Sequence, residues 1–337
     1  MKKINIPGFE IGGNKTFIIA EIGSNHAQDI QLAYKTIDAA IDCGADAVKF
    51  QSLNAAELYY NPTDKIVKLH EQIDLREEWH QLLDAYCKRK GIIFFSSPTY
   101  LKAVDILESI NTPIYKLASA QIGTFPQIIQ KVAATGKPVI LSTGLVSYGE
   151  LEKVVNIFRS VNNHNFIILH CNSIYPTPFD KVGLNLMNTY KEMFNCITGF
   201  SDHTDGIAIA TAAVALGAKV IEKHFILDKS IETPDASISI DKKEFAAMVE
   251  SIRATELAIQ RKTRNEIDDE ENTFKKAILY KAIVKTNVIK GQIIEENVFD
   301  FKRTTGGIDC RVIDSLIGKK FTENLSAGTL LEIDQFE

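Results

Sequence analysis

The chain has 337 residues, 45% of them hydrophobic and 24% charged, with a formal net charge of −5. That composition excludes collagen, a long coiled coil and bulk disorder, and the acidic balance argues against nucleic-acid binding through a general basic surface. The length suits two domains of about 100–200 residues each, or one barrel with an appendage.

Short β-rich apolar runs alternate with longer amphipathic ones. Thr16–Ile22 reads as a strand, followed by helical periodicity over Ile30–Cys43. The strand Ala47–Gln51 leads through an irregular stretch to the helix Arg76–Lys90. Strand–helix pairs then follow at Gly91–Ser97 and Tyr100–Ile110, Ile114–Ser119 and Phe125–Ala134, and Pro138–Thr143 and Tyr148–Val161. Three more are Phe166–Ser173 with Leu184–Phe194, Ile197–His203 with Ile207–Leu216, and Val220–Phe225 with Asp241–Gln260. Asp241 and Glu244 have the spacing of a capping box at the start of the last helix. Continuous apolar strands indicate a parallel sheet covered by helices. Eight such repeats close into a (β/α)8 barrel, and the absence of a GxGxxG after the first strand argues against a dinucleotide-binding fold.

From Arg261 to Lys276 the chain is almost entirely polar or charged, which reads as a linker. The expected division is a barrel over 1–262, a linker over 263–276 and a small β-rich domain over 277–337. The last segment carries an internal repeat: Asn287–Phe299 aligns without gaps on Asn324–Phe336, with Gly291 over Gly328 and Glu295 over Glu332. Two such units can share one core through pseudo-twofold pairing. The cysteines Cys43, Cys87, Cys171, Cys196 and Cys310 are scattered and contain no CxxC, so buried reduced thiols are expected. No secretory leader opens the chain and no run has the ~18 apolar residues of a membrane span. A soluble cytoplasmic protein is the expectation.

A barrel of this kind carries its active site at the C-terminal ends of its strands. The polar residues there are Glu21, Lys49, Gln51, Ser97, Lys116, Ser119, Ser142, Thr143, Ser173, His203 and His224. Lys49 and Lys116 lie inside apolar strands, where an unpaired ammonium costs several kcal/mol. Each therefore either has a carboxylate partner or binds an anionic ligand, and with the serines they form a cradle for phosphate or carboxylate. His203 and His224 end consecutive strands, whose spacing of ~4.8 Å lets two side chains converge on one ion. Two imidazoles with oxygen ligands suit Mn2+, Zn2+ or Fe2+; the competing reading is a pair of hydrogen-bonded core histidines. His70, His80 and His164 read as surface or helix residues.

Seven segments then occur in a telling order: AEIGSNH (20–26), VKFQS (48–52), YKLAS (115–119), LSTG (141–144), IYPTP (174–178), GFSDHT (199–204) and VIEKHF (220–225). Together they resemble the sialic acid synthase family, which includes the legionaminic and pseudaminic acid synthases, and the carboxy-terminal segment resembles that family's antifreeze-like (SAF, β-clip) domain. The resemblance implies condensation of phosphoenolpyruvate with an N-acetylated aldose (N-acetylmannosamine or a 2,4-diacetamido-trideoxyhexose) and water, giving a nine-carbon 3-deoxy-2-keto acid and phosphate. It implies that Lys49, Lys116, Ser97, Ser119, Ser142 and Ser173 bind phosphoenolpyruvate. His203 and His224 would hold Mn2+, with Mg2+ or Co2+ as alternatives, and Glu21 would be an acid/base group. Gln51, Tyr175, Asp235 and Arg303 would contact the sugar, Arg303 from the partner in a domain-swapped homodimer.

Two positions depart from the family pattern. Ser119-Ala120-Gln121 stands where relatives carry a glutamate at the third place, and Asn172-Ser173 replaces the usual Thr-Asn. An amide does not titrate, so Gln121 raises the alternative of a catalytically altered or non-enzymatic sugar-binding relative. A seven- or eight-carbon keto-acid synthase is the other enzyme reading, and the terminal repeat argues against it. The loop after Leu227 looks closer to the pseudaminic and legionaminic branches.

Overall fold

The computed structural model describes residues 2–260, 263–264 and 266–337. It divides into two compact units, Met1–Gln260 and Arg261–Glu337.

In the first unit eight strands form one sheet: β3 (Phe17–Glu21), β4 (Ala47–Ser52), β5 (Ile93–Pro98), β6 (Tyr115–Leu117), β7 (Val139–Ser142), β8 (Phe166–His170), β9 (Ile197–Asp202) and β10 (Val220–His224). The hydrogen-bonded order is β5-β4-β3-β10-β9-β8-β7-β6, and every pair is parallel. The edge strands β5 and β6 lie side by side, so the sheet rolls into a nearly closed barrel. Nearly every strand residue is buried, as the apolar runs require of strands covered on both faces.

Eight helices follow the strands in turn: α1 (Ile30–Asp42), α4 (Glu77–Lys90), α5 (Leu101–Ser109), α6 (Pro126–Ala134), α7 (Tyr148–Ser160), α8 (Leu186–Phe194), α9 (Ala208–Ala215) and α10 (Lys242–Ala258). The expected capping box is present on α10, where the Asp241 side chain accepts from Glu244 N and the Glu244 side chain accepts from Asp241 N. The irregular stretch after β4 contains two further helices, α2 (Ala55–Leu58) and α3 (Asp64–Ile73).

The barrel interior is filled at its N-terminal end by Phe17, Ile19, Ala47, Phe95, Ile114, Ile140, Ile167, Leu169, Ile197 and Val220. An antiparallel hairpin, β1 (Ile4–Ile6) with β2 (Phe9–Ile11), adds Ile4, Ile6 and Ile11 to that cluster and covers this end. Polar chemistry is thereby confined to the opposite mouth. Cys43, Cys87, Cys171 and Cys196 are buried, Cys310 is half-buried, and all five are free thiols. No helix among the described residues is long and apolar enough to cross a membrane.

In the second unit, α11 (Asp269–Ile278) occupies much of the polar run read as a linker; Arg261, Lys262 and Asn265 of that run lie outside the described residues. Strands β11 (Tyr280–Val284) and β12 (Phe299–Arg303) pair antiparallel. The sequence repeat is a true structural pseudo-dyad. Val288 and Leu325, equivalent in the alignment, exchange both backbone hydrogen bonds at 2.9 and 3.0 Å. Gly291 N donates to Phe321 O at 2.8 Å, and its counterpart Gly328 N donates to Val284 O at 2.7 Å. Asn324 Oδ1 accepts from Lys290 N at 2.7 Å, and Asn287 Oδ1 accepts from Ala327 N at 2.8 Å. The two halves share one small core of Ala282, Val284, Val288, Ile294, Phe299, Phe321, Leu325 and Leu331.

Gly199 lets β9 approach β10 closely. A Cβ there would sit 2.3 Å from Val220 O and 2.7 Å from Leu169 Cδ2. Gly199→Ala is therefore expected to destabilise the barrel by about 1–3 kcal/mol, the usual cost of overpacking. Urea unfolding measures this, and an unchanged midpoint would contradict the close approach.

Candidate active site

At the C-terminal mouth, strand alternation places one polar set inside the barrel. Backbone register puts Glu21 of β3 beside Lys49 of β4 and His224 of β10, so these three lie at one level. Gln51 pairs with Ser97, and Glu222 with Ser201. They surround a cavity of about 260 Å³ that is also lined by Lys116, Ser119, Ser142, Ser173, Tyr175 and His203. The sequence-derived residues of the barrel thus converge, with three exceptions in placement. Thr143 does not line the cavity, and its hydroxyl donates to Leu169 O at 3.2 Å. Asp235 lies in the loop after β10, beside the site, where its Oδ2 accepts from Ser24 N at 2.8 Å and stands 3.9 Å from His224 Nδ1. Arg303 belongs to the second unit, where its guanidinium lies 5.2 Å over the ring of Tyr280.

The two lysines have the carboxylate partners that burial demands. Lys49 Nζ is 2.7 Å from Glu21 Oε2, and Lys116 Nζ donates to both oxygens of Glu222 at 2.7 and 2.9 Å. Glu222 Oε2 also lies 3.8 Å from Lys49 Nζ. Ser201 Oγ donates to Glu222 Oε1 at 3.0 Å, and Gln51 Nε2 donates to Glu21 Oε1 at 2.7 Å. The result is an alternating chain Glu21–Lys49–Glu222–Lys116, neutral as a whole and almost wholly buried. Burial alone would raise the Glu222 carboxyl, but Lys116 and Lys49 outweigh it and hold the group down to about 2. Burial likewise works against the Lys49 ammonium, and Glu21 and Glu222 reverse that, raising it above the ordinary lysine value.

Glu222 and Ser201 are the residues the sequence reading missed, along with Thr99 and Cys171 of the same cavity wall. The signal existed: Glu222 is two residues before His224 and Ser201 two before His203, so each shares the inward face of its strand with a histidine. Gln121 is buried in the turn after β6, its backbone N–H bonded to Ala118 O, and it is not among the residues lining the cavity. His70 and His80 are on helices as expected but are buried, with His80 Nε2 2.7 Å from Ser52 Oγ.

Beside the lysines is a serine-rich wall. Ser142 Oγ is buried without a hydrogen-bond partner. Ser119 Oγ accepts from Gly144 N at 2.9 Å and lies 3.2 Å from Cys171 Sγ. A Cβ on Gly144 would fall 2.4 Å from Ser173 Oγ and 2.9 Å from Ser119 Oγ, so only glycine leaves this recess open. The wall offers hydroxyls to an anion, and the lysines offer charge.

The rings of His203 and His224 are 5.6 Å apart between centroids, and Tyr175 lies 4.4 Å from His203. His203 Nδ1 is 2.8 Å from Asn172 O, a contact that requires a proton on Nδ1 and leaves Nε2 with its lone pair. Burial, then the neighbouring His224, lowers His203 to about 3, so its imidazole is neutral near pH 7. His224 Nδ1 is buried without a hydrogen-bond partner. No group of three or more His, Cys, Asp or Glu side chains poised for a metal occurs among the described residues. The donor set is instead two imidazoles, with the His203 Nε2 lone pair free and room for water or substrate oxygen, which fits a divalent transition ion that keeps open positions.

Comparison with known proteins places the chain in a family. The chain is 35% identical over 94% of its length to an N,N'-diacetyllegionaminic acid synthase of Campylobacter jejuni, of which 99% is covered. It is 34% identical over 96% of its length to a pseudaminic acid synthase of the same species, of which 97% is covered. Among solved structures, an N-acetylneuraminic acid (sialic acid) synthetase from Leptospira borgpetersenii superposes with a TM-score of 0.76 at 33% identity, covering 81% of this chain and 95% of that one. The model of the NeuB family matches residues 36–264. The chain belongs to the NeuB, or sialic acid synthase, family.

Proposed function

We propose that this protein is a nonulosonic acid synthase that condenses phosphoenolpyruvate with an N-acetylated aldose and water, releasing phosphate. The observation that carries the reading is the buried Lys49–Lys116 pair facing an unpartnered Ser142 hydroxyl in one cavity with the imidazoles of His203 and His224. The relatives are named as synthases of N,N'-diacetyllegionaminic, pseudaminic and N-acetylneuraminic acids, which supports the same substrate class.

Phosphoenolpyruvate brings a carboxylate and a phosphate. Lys49 and Lys116 bind these anions, with Ser97, Ser119, Ser142 and Ser173 donating hydroxyl hydrogen bonds. Glu222 competes for Lys116, so bound substrate takes over ammonium contacts that Glu222 holds in the free enzyme. The phosphoenolpyruvate C3 attacks the aldehyde carbon, water adds at C2, and the C–O bond to phosphate breaks. Glu21, fixed by Lys49 and Gln51 at the level of His224, is the acid/base group beside the reacting carbons. Gln51, Tyr175 and Asp235 orient the aldose.

His203 and His224 would hold the divalent cation, for which Mn2+ is the proposed identity. Such an ion, when bound, supplies Lewis-acid polarisation of the aldehyde oxygen. The antifreeze-like character of the second unit, the homodimer, the role of Arg303 toward the aldose and a cytoplasmic location are proposals that rest on the resemblance.

The direct test is phosphate release from phosphoenolpyruvate with Mn2+ and a panel of 2-acetamido and 2,4-diacetamido hexoses, with products identified by mass. A new mass equal to aldose plus pyruvate is expected for one sugar; silence across the panel from folded, metal-loaded protein would favour a non-enzymatic relative. Lys116→Ala is expected to weaken phosphoenolpyruvate binding by about 2–3 kcal/mol, the range for hydrogen bonds to charged groups; unchanged affinity by calorimetry contradicts its role. His203→Ala and His224→Ala should each lose Mn2+ and turnover, and stoichiometric metal retained by the double variant would refute the imidazole site.

A further inference from the structure

A second pair of opposite charges lies directly behind the two imidazoles, on the outer face of the same strands. Asp202 and Lys223 are fully buried, and Lys223 Nζ is 2.9 Å from Asp202 Oδ2. They are cross-strand partners in the β9–β10 register, one position before His203 and His224 respectively. The same ammonium donates to Thr204 O at 2.5 Å, on the far side of His203. Asp202 Oδ1 in turn accepts from Thr204 N at 2.9 Å and from Thr204 Oγ1 at 2.8 Å. One lysine therefore ties the residues on both sides of His203 to the residue preceding His224.

Stability alone is a weak account of this arrangement. A buried ion pair returns little net stability, because desolvation of both charges offsets their attraction, and well-packed apolar replacements often fold as well. A cross-strand clip does fix relative position. Its four bonds set the backbone path through His203 and the spacing of two adjacent strand ends. The imidazole separation depends on both, since each side chain projects from the residue next to the clip.

We infer that Asp202 and Lys223 are positioning residues that hold His203 and His224 in one coordinating geometry. The inference rests on the reading of the imidazole pair as a divalent-ion site. It assigns these outward-facing charges a role in ion affinity rather than in substrate contact, since neither lines the cavity.

The test is Mn2+ titration of the full-length protein, followed by the paramagnetic resonance of the free ion, with thermal melting recorded for each variant. The double variant Asp202→Asn/Lys223→Met keeps an acceptor for Thr204 and the bulk of the lysine stem while removing the clip. It is expected to melt near wild type and to bind Mn2+ roughly 10–100-fold more weakly, the usual effect of losing support behind metal ligands. Thr204→Val, which removes one hydroxyl bond and no charge, should weaken binding by a smaller factor and serves if the double variant does not fold. Arg253→Met is the control for a purely structural pair: Arg253 binds Asp46 and Glu256 at the other end of the barrel, so its loss should lower the melting temperature and leave Mn2+ affinity unchanged. Wild-type Mn2+ affinity in folded clip variants, with binding abolished by His203→Ala, overturns the inference alone. Failure of wild type to bind Mn2+, or unaltered binding by His203→Ala, overturns the ion-site reading and the inference with it.

Discussion

Two ammonium groups buried in the mouth of an apolar barrel constrain everything around them. Lys49 and Lys116 leave water when the strands close, and an uncompensated charge there would cost several kcal/mol. Glu21 and Glu222 provide the compensation, in an order that alternates sign across β3, β4, β10 and β6. Neutrality of the buried cluster follows from this arrangement. In the proposed reaction an incoming phosphate or carboxylate would replace one acidic partner with another, so the lysines would not stand unpaired.

The barrel makes that cluster possible by separating apolar from polar ends. The hairpin of Ile4, Ile6 and Ile11 completes an apolar floor, while the strand ends above it carry nearly all of the inward polar groups. On β9 and β10 the alternation is used twice. Inward positions hold Ser201, Glu222 and His224, with His203 in the residue just after β9, and outward ones hold the Asp202–Lys223 clip. The polar functional groups therefore come in supported pairs, each held by the neighbouring strand.

Much of this was legible in the residues. The eight strand–helix repeats were visible because parallel strands covered on both faces are continuously apolar, and the polar residues that interrupt them at one end marked the mouth. The terminal repeat was visible as a gap-free alignment, and its equivalent residues do pair across a pseudo-dyad, as Val288 and Leu325 show. The N-terminal hairpin was not legible, since three-residue strands carry too little periodicity. Helix α2 was hidden by its length of four residues, and α3 by a polar composition that leaves only His70 buried. Glu222 was overlooked because it stands beside Lys223 and His224 in a run of polar residues, although strand alternation alone puts it on the same face as His224. The partnership of Lys116 with Glu222 spans 106 positions and belongs to the closed barrel, not to any local pattern.

The central claim is that the lysine–carboxylate chain opens to receive the phosphoenolpyruvate anion. A crystal structure of the protein with phosphoenolpyruvate bound tests it most directly. The account predicts phosphate and carboxylate oxygens within hydrogen-bond distance of Lys49, Lys116 and Ser142, with Lys116 drawn away from Glu222. Ligand bound elsewhere, or bound with the Lys116–Glu222 pair intact and no ammonium in contact, would contradict it.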